Sequence, residues 1–154
     1  MAEIERKLLV DELPADLDAW DATRIEQGYL AITDDVEVRV RRKDGDAAVA
    51  TVKSAPGLSR TEVELGVDTG AFEDLWPLTE GRRLVKVRHT REDAPGVVFE
   101  LDVYEGDLQG LATLEVEFAD EDAAAAWSPP PWAGREVTGD KAYANQSLAL
   151  HGKP

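Results

Sequence analysis

Glu3-Ile4-Glu5-Arg6-Lys7-Leu8-Leu9-Val10 is the stretch whose reading decides the fold. Residues two apart on an extended strand project from the same face. Glu3, Glu5 and Lys7 therefore share one wall, while Ile4, Leu8 and Val10 share the other. Arg6 is the exception, a cation on the apolar side. One such strand alone reads as an ordinary antiparallel strand with one face in water. The rest of the chain repeats the pattern, and that repetition carries the argument.

Val36, Val38 and Val40 alternate with Glu37, Arg39 and Arg41. Lys43-Asp44-Gly45-Asp46 is a turn signal, and residues 47–53 return as a strand ending in Thr51-Val52-Lys53. After a Pro-Gly loop at 54–59, Arg60, Glu62 and Glu64 alternate with Thr61, Val63 and Leu65. Lys86 and Arg88 alternate with Val85 and Val87. A turn at 92–96 leads to Glu100, Asp102 and Tyr104 between Phe99, Leu101 and Val103. Glu115 and Glu117 stand between Leu114, Val116 and Phe118. The intervening segments read differently. Apolar residues three to five apart over 11–28 predict one or two short helices, with Pro14 near the start and Gly28 at the stop. Residues 29–32 predict a short strand, 71–78 a helix ended by Pro77, and 120–127 an Ala-rich helix. Residues 128–132 form a stiff, proline-rich linker. A final helix capped by Thr138 or Asp140 runs to about Leu150.

The 154 residues are expected to form a single domain, 1–154, long enough to bury a core. Lys and Arg number 17 against 32 Asp and Glu, a net charge of −15. That surface disfavours nonspecific nucleic-acid binding and anionic membranes. The absence of cysteine excludes disulfides, thiolate metal sites and a cysteine nucleophile. No signal segment or apolar run of about 20 residues is present, so a cytoplasmic chain, monomeric or homodimeric, is expected.

Seven or eight antiparallel strands have an edge problem that closure solves. The amphipathic helices need an apolar partner, and the apolar sheet face opposite the charges is the one left to them. The expected fold is therefore α+β: an eight-stranded antiparallel barrel with a charged lumen, helices packed outside, and a C-terminal helix. Desolvating ions costs several kcal/mol each unless they are well paired. Such a lumen must be wet and suited to an ionic ligand. Bases on several walls would clamp a polyanion, Arg binding phosphate oxygens in bidentate fashion. Clustered carboxylates suit Mg²⁺ or Mn²⁺, hard cations that prefer oxygen. Both features together, on an acidic protein, point to a metal-bridged polyphosphate rather than to nucleic acid.

The first strand resembles the ExExK motif of the CYTH domain, or triphosphate tunnel metalloenzyme, superfamily. Further motifs in order match the same family: Gln27-Gly28-Tyr29-Leu30, Arg39 and Arg41, Thr51-Val52-Lys53, Arg60 to Glu64, Lys86 and Arg88, Glu100 and Asp102, and Glu115 to Phe118. Gly134 to Thr138, with Tyr143 and Asn145, resembles the bacterial branch. The resemblance implies a triphosphate tunnel and metal-dependent attack on a triphosphate. It places Glu3, Glu5 and Glu117 as ligands of the catalytic metal, with Glu115 close by. Glu62, Glu64, Glu100 and Asp102 match the opposite acidic wall, the place of a second metal or of the nucleophilic water. Lys7, Arg39, Arg41, Lys53, Lys86 and Arg88 match a phosphate clamp, to which the strand pattern adds Arg60. Glu37 is an extra acid beside the arginines with no role in that pattern.

Positioning and charge neutralisation dominate phosphoryl transfer. The base that takes the proton of the attacking water is expected to be a lysine, with Lys7 and Lys53 acting as like-charged neighbours, or else Glu64 or Glu100. The activity implied is hydrolysis of inorganic triphosphate by a tripolyphosphatase. The alternatives are a class IV-type adenylate cyclase, a thiamine triphosphatase, and a noncatalytic polyphosphate or nucleotide sensor. A sensor would have lost a ligand or clamp position, and none is lost here.

Overall fold

A computed structural model describes residues 4–54 and 60–154. Eight strands are formed: β1 (Ile4–Leu9), β2 (Asp21–Ile32), β3 (Val36–Lys43), β4 (Ala48–Ser54), β5 (Glu62–Val67), β6 (Arg83–Ala94), β7 (Val97–Tyr104) and β8 (Ala112–Phe118). They make one sheet in the order β1-β8-β7-β6-β2-β3-β4-β5, antiparallel at every pairing. Three short α-helices accompany it: α1 (Thr69–Leu75), α2 (Glu121–Ala126) and α3 (Asn145–His151). Among the described residues, no helix is long and apolar enough to cross a membrane.

The two ends of the sheet are not joined by a ladder among the described residues. The chain itself explains why. Gly134–Val137 takes the outer edge of β1, with Leu9 N donating to Arg135 O (2.8 Å), Gly134 N to Leu9 O (2.7 Å) and Val137 N to Lys7 O (2.8 Å). From Lys7 to Leu9 that edge is therefore already satisfied and has no donors or acceptors left for β5. The sheet nonetheless curls round. The short stretch from Tyr143 to Gln146 touches Lys7 on β1, Lys86 on β6 and Glu37 on β3, which are far apart in the strand order. Only a sheet rolled about its strand direction brings those three walls to one segment.

The outer face carries the apolar parity. Leu101, Leu114, Val116 and Phe99 pack with Val10, Leu17 and Trp20. Elsewhere Phe72 of α1 seats against Val40 and Ala48. Arg6, the cation on the apolar side of β1, is explained by α2. Its guanidinium donates to the carbonyls of Ala124 (2.9 Å) and Trp127 (3.0 Å), which the end of that helix leaves unpaired, and pairs with Glu136. The starts of α1 and α2 are capped by carboxylates. Asp68 accepts from Ala71 N in α1, and Asp120 accepts from Ala123 N in α2.

Three expectations are corrected. Residues 11–28 hold only a 3-10 turn, Leu17–Ala19, and then enter β2, which runs twelve residues through the predicted short strand at 29–32. The spacing of Leu17, Trp20 and Ile25 imitates a helix because Trp20 precedes the strand and Ile25 lies within it; pairing to both β3 and β6 overrides the local pattern. Arg60 lies outside β5, exposed, with its Nε donating to Ser54 O (3.2 Å). The final helix is broken: a 3-10 turn, Lys141–Tyr143, is separated from α3 by an extended Ala144. Moreover α3 does not join the outer layer. Leu148 and Ala149 pack on Tyr29, Leu84 and Tyr104, which share the parity of Lys86, so this helix lies on the inner face of the sheet.

Gly28, expected to stop a helix, instead lies mid-strand under the 3-10 turn Trp76–Thr79. A Cβ there would sit 2.6 Å from the Cβ of Thr79, a fully buried residue whose hydroxyl donates to Trp76 O at 2.7 Å. Gly28→Ala should lower stability by about 1–3 kcal/mol, read as an earlier urea midpoint at unchanged slope. An unchanged midpoint would show that the turn can move aside freely.

Candidate active site

Strand register carries the charged residues into one continuous belt. Glu5 lies opposite Glu117, and Lys7 opposite Glu115. Glu115 lies opposite Glu100, and Asp102 faces Thr113 on one side and Arg88 on the other. Lys86 faces Tyr104 and Ile25; Arg41 faces Gln27, and Arg39 faces Tyr29 and Thr51. Lys53 sits between Glu37 and Glu62, and Thr51 beside Glu64. Side-chain alternation then puts all of these on one face of the sheet. Glu3 lies outside the described residues.

The centre of the belt is an ion network. Lys86 Nζ is 2.8 Å from Asp102 Oδ2, and Arg88 Nε is 2.8 Å from Asp102 Oδ1. A second guanidinium bond reaches Asp102 Oδ2 at 3.0 Å, and the remaining nitrogen reaches Glu100 Oε2 at 2.7 Å. Lys86 is 2% exposed and Asp102 3%. Burial pulls the Lys86 ammonium below the ordinary lysine range, partly offset by the charge of Asp102. Burial alone would raise Asp102, but the bond from Arg88 and the charge of Lys86 outweigh it and hold the carboxyl below its usual range. Arg88 is pulled down by burial and pushed further up by Asp102 and Glu100. Arg41 is lowered by burial, then by the neighbouring charges of Arg88 and Arg39, a sign that the cations converge.

Arg39 and Arg41 line a cavity of about 380 Å³ with Lys43, Thr51 and Glu64. The Nε atoms of both arginines are buried without a hydrogen-bond partner among the described residues. Buried donors left unmet are costly, so they mark where an acceptor belongs. Lys7 Nζ donates to Tyr143 O at 2.7 Å, and Lys53 Nζ lies 3.9 Å from Glu62 Oε2. The two lysines are thus held by different partners. Glu62 and Glu64 are exposed on β5.

The C-terminal segment supplies groups that strand alternation could not reveal. Asn145 Oδ1 accepts from Tyr104 OH at 3.2 Å and from Lys86 Nζ at 3.4 Å. Gln146 Nε2 donates to Glu37 Oε1 at 2.9 Å. Gln27 is 3% exposed and donates to Tyr29 OH at 3.0 Å. Of these, Gln27, Tyr29 and Asn145 belong to the motifs quoted from the sequence, but Gln146 had no signal at all.

A cation site fits the chemistry of this belt in part. Register sets Glu5 beside Glu117 and Glu115 beside Glu100, acid against acid, and all are oxygen donors that suit a hard divalent ion. Among the described residues, no group of three or more His, Asp or Glu is already gathered to hold one.

A family model described as CYTH domain matches residues 1–142. The chain is 50% identical over 151 residues to an inorganic triphosphatase of Nitrosomonas europaea, covering 97% of this chain and 98% of that one. It is 36% identical to an inorganic triphosphatase of Acetivibrio thermocellus, over 95% of this chain and 92% of the other. The crystal structure of the inorganic triphosphatase NE1496 superposes with a TM-score of 0.87 at 44% identity, over 100% of this chain and 98% of that one.

Breaking the central network should be severe. Asp102→Asn leaves the buried Lys86 without a carboxylate partner and the half-buried Arg88 with Glu100 alone, an expected loss of about 3–5 kcal/mol in urea unfolding. Adding Lys86→Met should return a large part of that loss, since it removes one stranded charge. A double variant no more stable than Asp102→Asn would place the cost elsewhere.

Proposed function

The chain belongs to the CYTH domain family, and we propose that it is a divalent-metal-dependent inorganic triphosphatase. The observation that carries the reading is the pair of unmet buried donors on Arg39 and Arg41, converging with Lys86 and Arg88 on one face. Cations this crowded repel one another and lose hydration, and a polyanion relieves both costs. The near-full-length likeness to inorganic triphosphatases supports the same choice of substrate.

In this reading Lys7, Arg39, Arg41, Lys53, Lys86 and Arg88 hold the phosphate oxygens, with Arg60 at the rim. Arg88 is pre-set for its part, since Asp102 and Glu100 hold its guanidinium from two sides. Glu3, Glu5, Glu115 and Glu117 would hold Mg²⁺ or Mn²⁺, with Glu62, Glu64 and Asp102 on the opposite acidic wall. A bound divalent ion supplies neutralisation of charge on the phosphate oxygens. The oxygen of a water forms a bond to a terminal phosphorus, and the bond from that phosphorus to its bridging oxygen breaks. The leaving group is pyrophosphate and the other product orthophosphate, the water's proton passing to a lumen base. Lys7, Lys53, Glu64 and Glu100 all stand on the belt for that role. The substrate is small, and neither nucleic acid nor membrane enters the reaction.

With Mg²⁺ or Mn²⁺, the protein should release orthophosphate and pyrophosphate in equal amounts from triphosphate, and chelation should stop turnover. Arg41→Ala should lower kcat/KM by about 100-fold or more, as for loss of one preorganised donor to a reacting anion. Pyrophosphate with cyclic AMP from ATP would instead make it a cyclase. Tight triphosphate binding without turnover would make it a sensor.

A further inference from the structure

The clamp has an end, and the end is acidic. Along β3 the lumen face reads Lys43, Arg41, Arg39 and then Glu37. The three cations span about 13 Å at the usual strand rise, and the next position on the same wall reverses the sign. Glu37 is not spent on neutralising a base. Its partner in register, Lys53, lies 3.9 Å from Glu62, and among the described residues Glu37 enters no ion pair. What holds it is the neutral amide of Gln146 on α3 at 2.9 Å. A hydrogen bond from an uncharged donor fixes the carboxylate while leaving its full negative charge in place.

Space does not stop a ligand at this point. A second cavity of about 250 Å³ lies at Glu37, the next lumen position along β3, lined also by Gln146, Asp34, Ile32, Ser54 and Arg60. Its charged groups are two acids against one base, and Arg60 is exposed with its Nε turned to Ser54 O. A longer phosphate chain would therefore find room but meet repulsion.

We propose that Glu37, fixed by Gln146, is a specificity-determining residue that sets an electrostatic limit on the length of phosphate chain the tunnel accepts. This rests on the triphosphatase reading and adds a length rule to it. Each further phosphate carries another negative charge toward the carboxylate, so the penalty falls on the longer chain and spares the shorter one. Glu37→Gln keeps the shape and the amide contact but removes the charge.

The experiment compares kcat/KM for inorganic tetrapolyphosphate and inorganic triphosphate in the wild type, Glu37→Gln and Gln146→Ala, with Mg²⁺ present. In Glu37→Gln the ratio of tetrapolyphosphate to triphosphate should rise about tenfold or more. Gln146→Ala, which frees the carboxylate without neutralising it, should give a smaller rise. Calorimetric binding of tetrapolyphosphate, measured with no divalent ion so that no turnover is needed, should tighten in Glu37→Gln in parallel. A ratio unchanged in a folded Glu37→Gln, or equal changes for both substrates, overturns the proposal while leaving the triphosphatase reading intact. A wild type that turns over neither substrate overturns the triphosphatase reading, and the binding comparison then decides the length limit alone.

Discussion

The constraint on which this structure rests is the inversion of its sheet, with ions facing inward and apolar side chains outward. Lys86, Asp102 and Arg88 are its most demanding part, because two of the three are almost completely removed from water. Buried charges survive only when paired and hydrogen-bonded on all sides. Here one carboxylate takes three nitrogen contacts at 2.8–3.0 Å, and Glu100 takes the remaining guanidinium nitrogen. The network leaves Arg39 and Arg41 with cations as neighbours. A site with surplus positive charge at its heart is thus a consequence of how the acids were allotted, and the anion completes it.

The outer layer follows from the same inversion. Once the polar parity is turned inward, the alternate residues need cover, and α1 and α2 with the aromatic cluster of Trp20, Phe99 and Trp132 supply it. Trp132 reaches that cluster because the proline-rich run carries the chain across the outside before it turns back along β1. That return does two things at once. It satisfies the edge of β1 through Gly134–Val137, and it delivers Tyr143, Asn145 and Gln146 to the lumen.

The tunnel consequently has two unlike ends. At one, the carboxylates of Glu5, Glu117, Glu115 and Glu100 are set side by side by register. At the other, α3 packs Leu148 against Tyr29, Leu84 and Tyr104 while Gln146 fixes Glu37. The sheet edge at β5 remains unpaired by any ladder beyond β4 among the described residues, and its Glu62 and Glu64 are exposed. Charges on an edge strand also discourage pairing with another chain.

What the sequence determined by itself is the set of residues that share a wall. Alternation has a period of two whatever the strand pairs with, so Glu5 with Lys7, Arg39 with Arg41, and Lys86 with Arg88 were legible before any coordinate. The antiparallel sheet, its charged inner face and the family resemblance followed from that. Only the last four residues of β2 read as strand, because its inward residues Ile25, Gln27 and Tyr29 are not charged and so do not repeat the signal, while Leu17 and Trp20 ahead of it carry helical spacing. Tertiary structure alone decided which walls meet. Register made Asp102 the acid shared by Lys86 and Arg88, and long-range return brought Asn145 and Gln146 onto strands about 60 and 110 residues away. Such contacts depend on where the chain comes back in space, and no local periodicity records it.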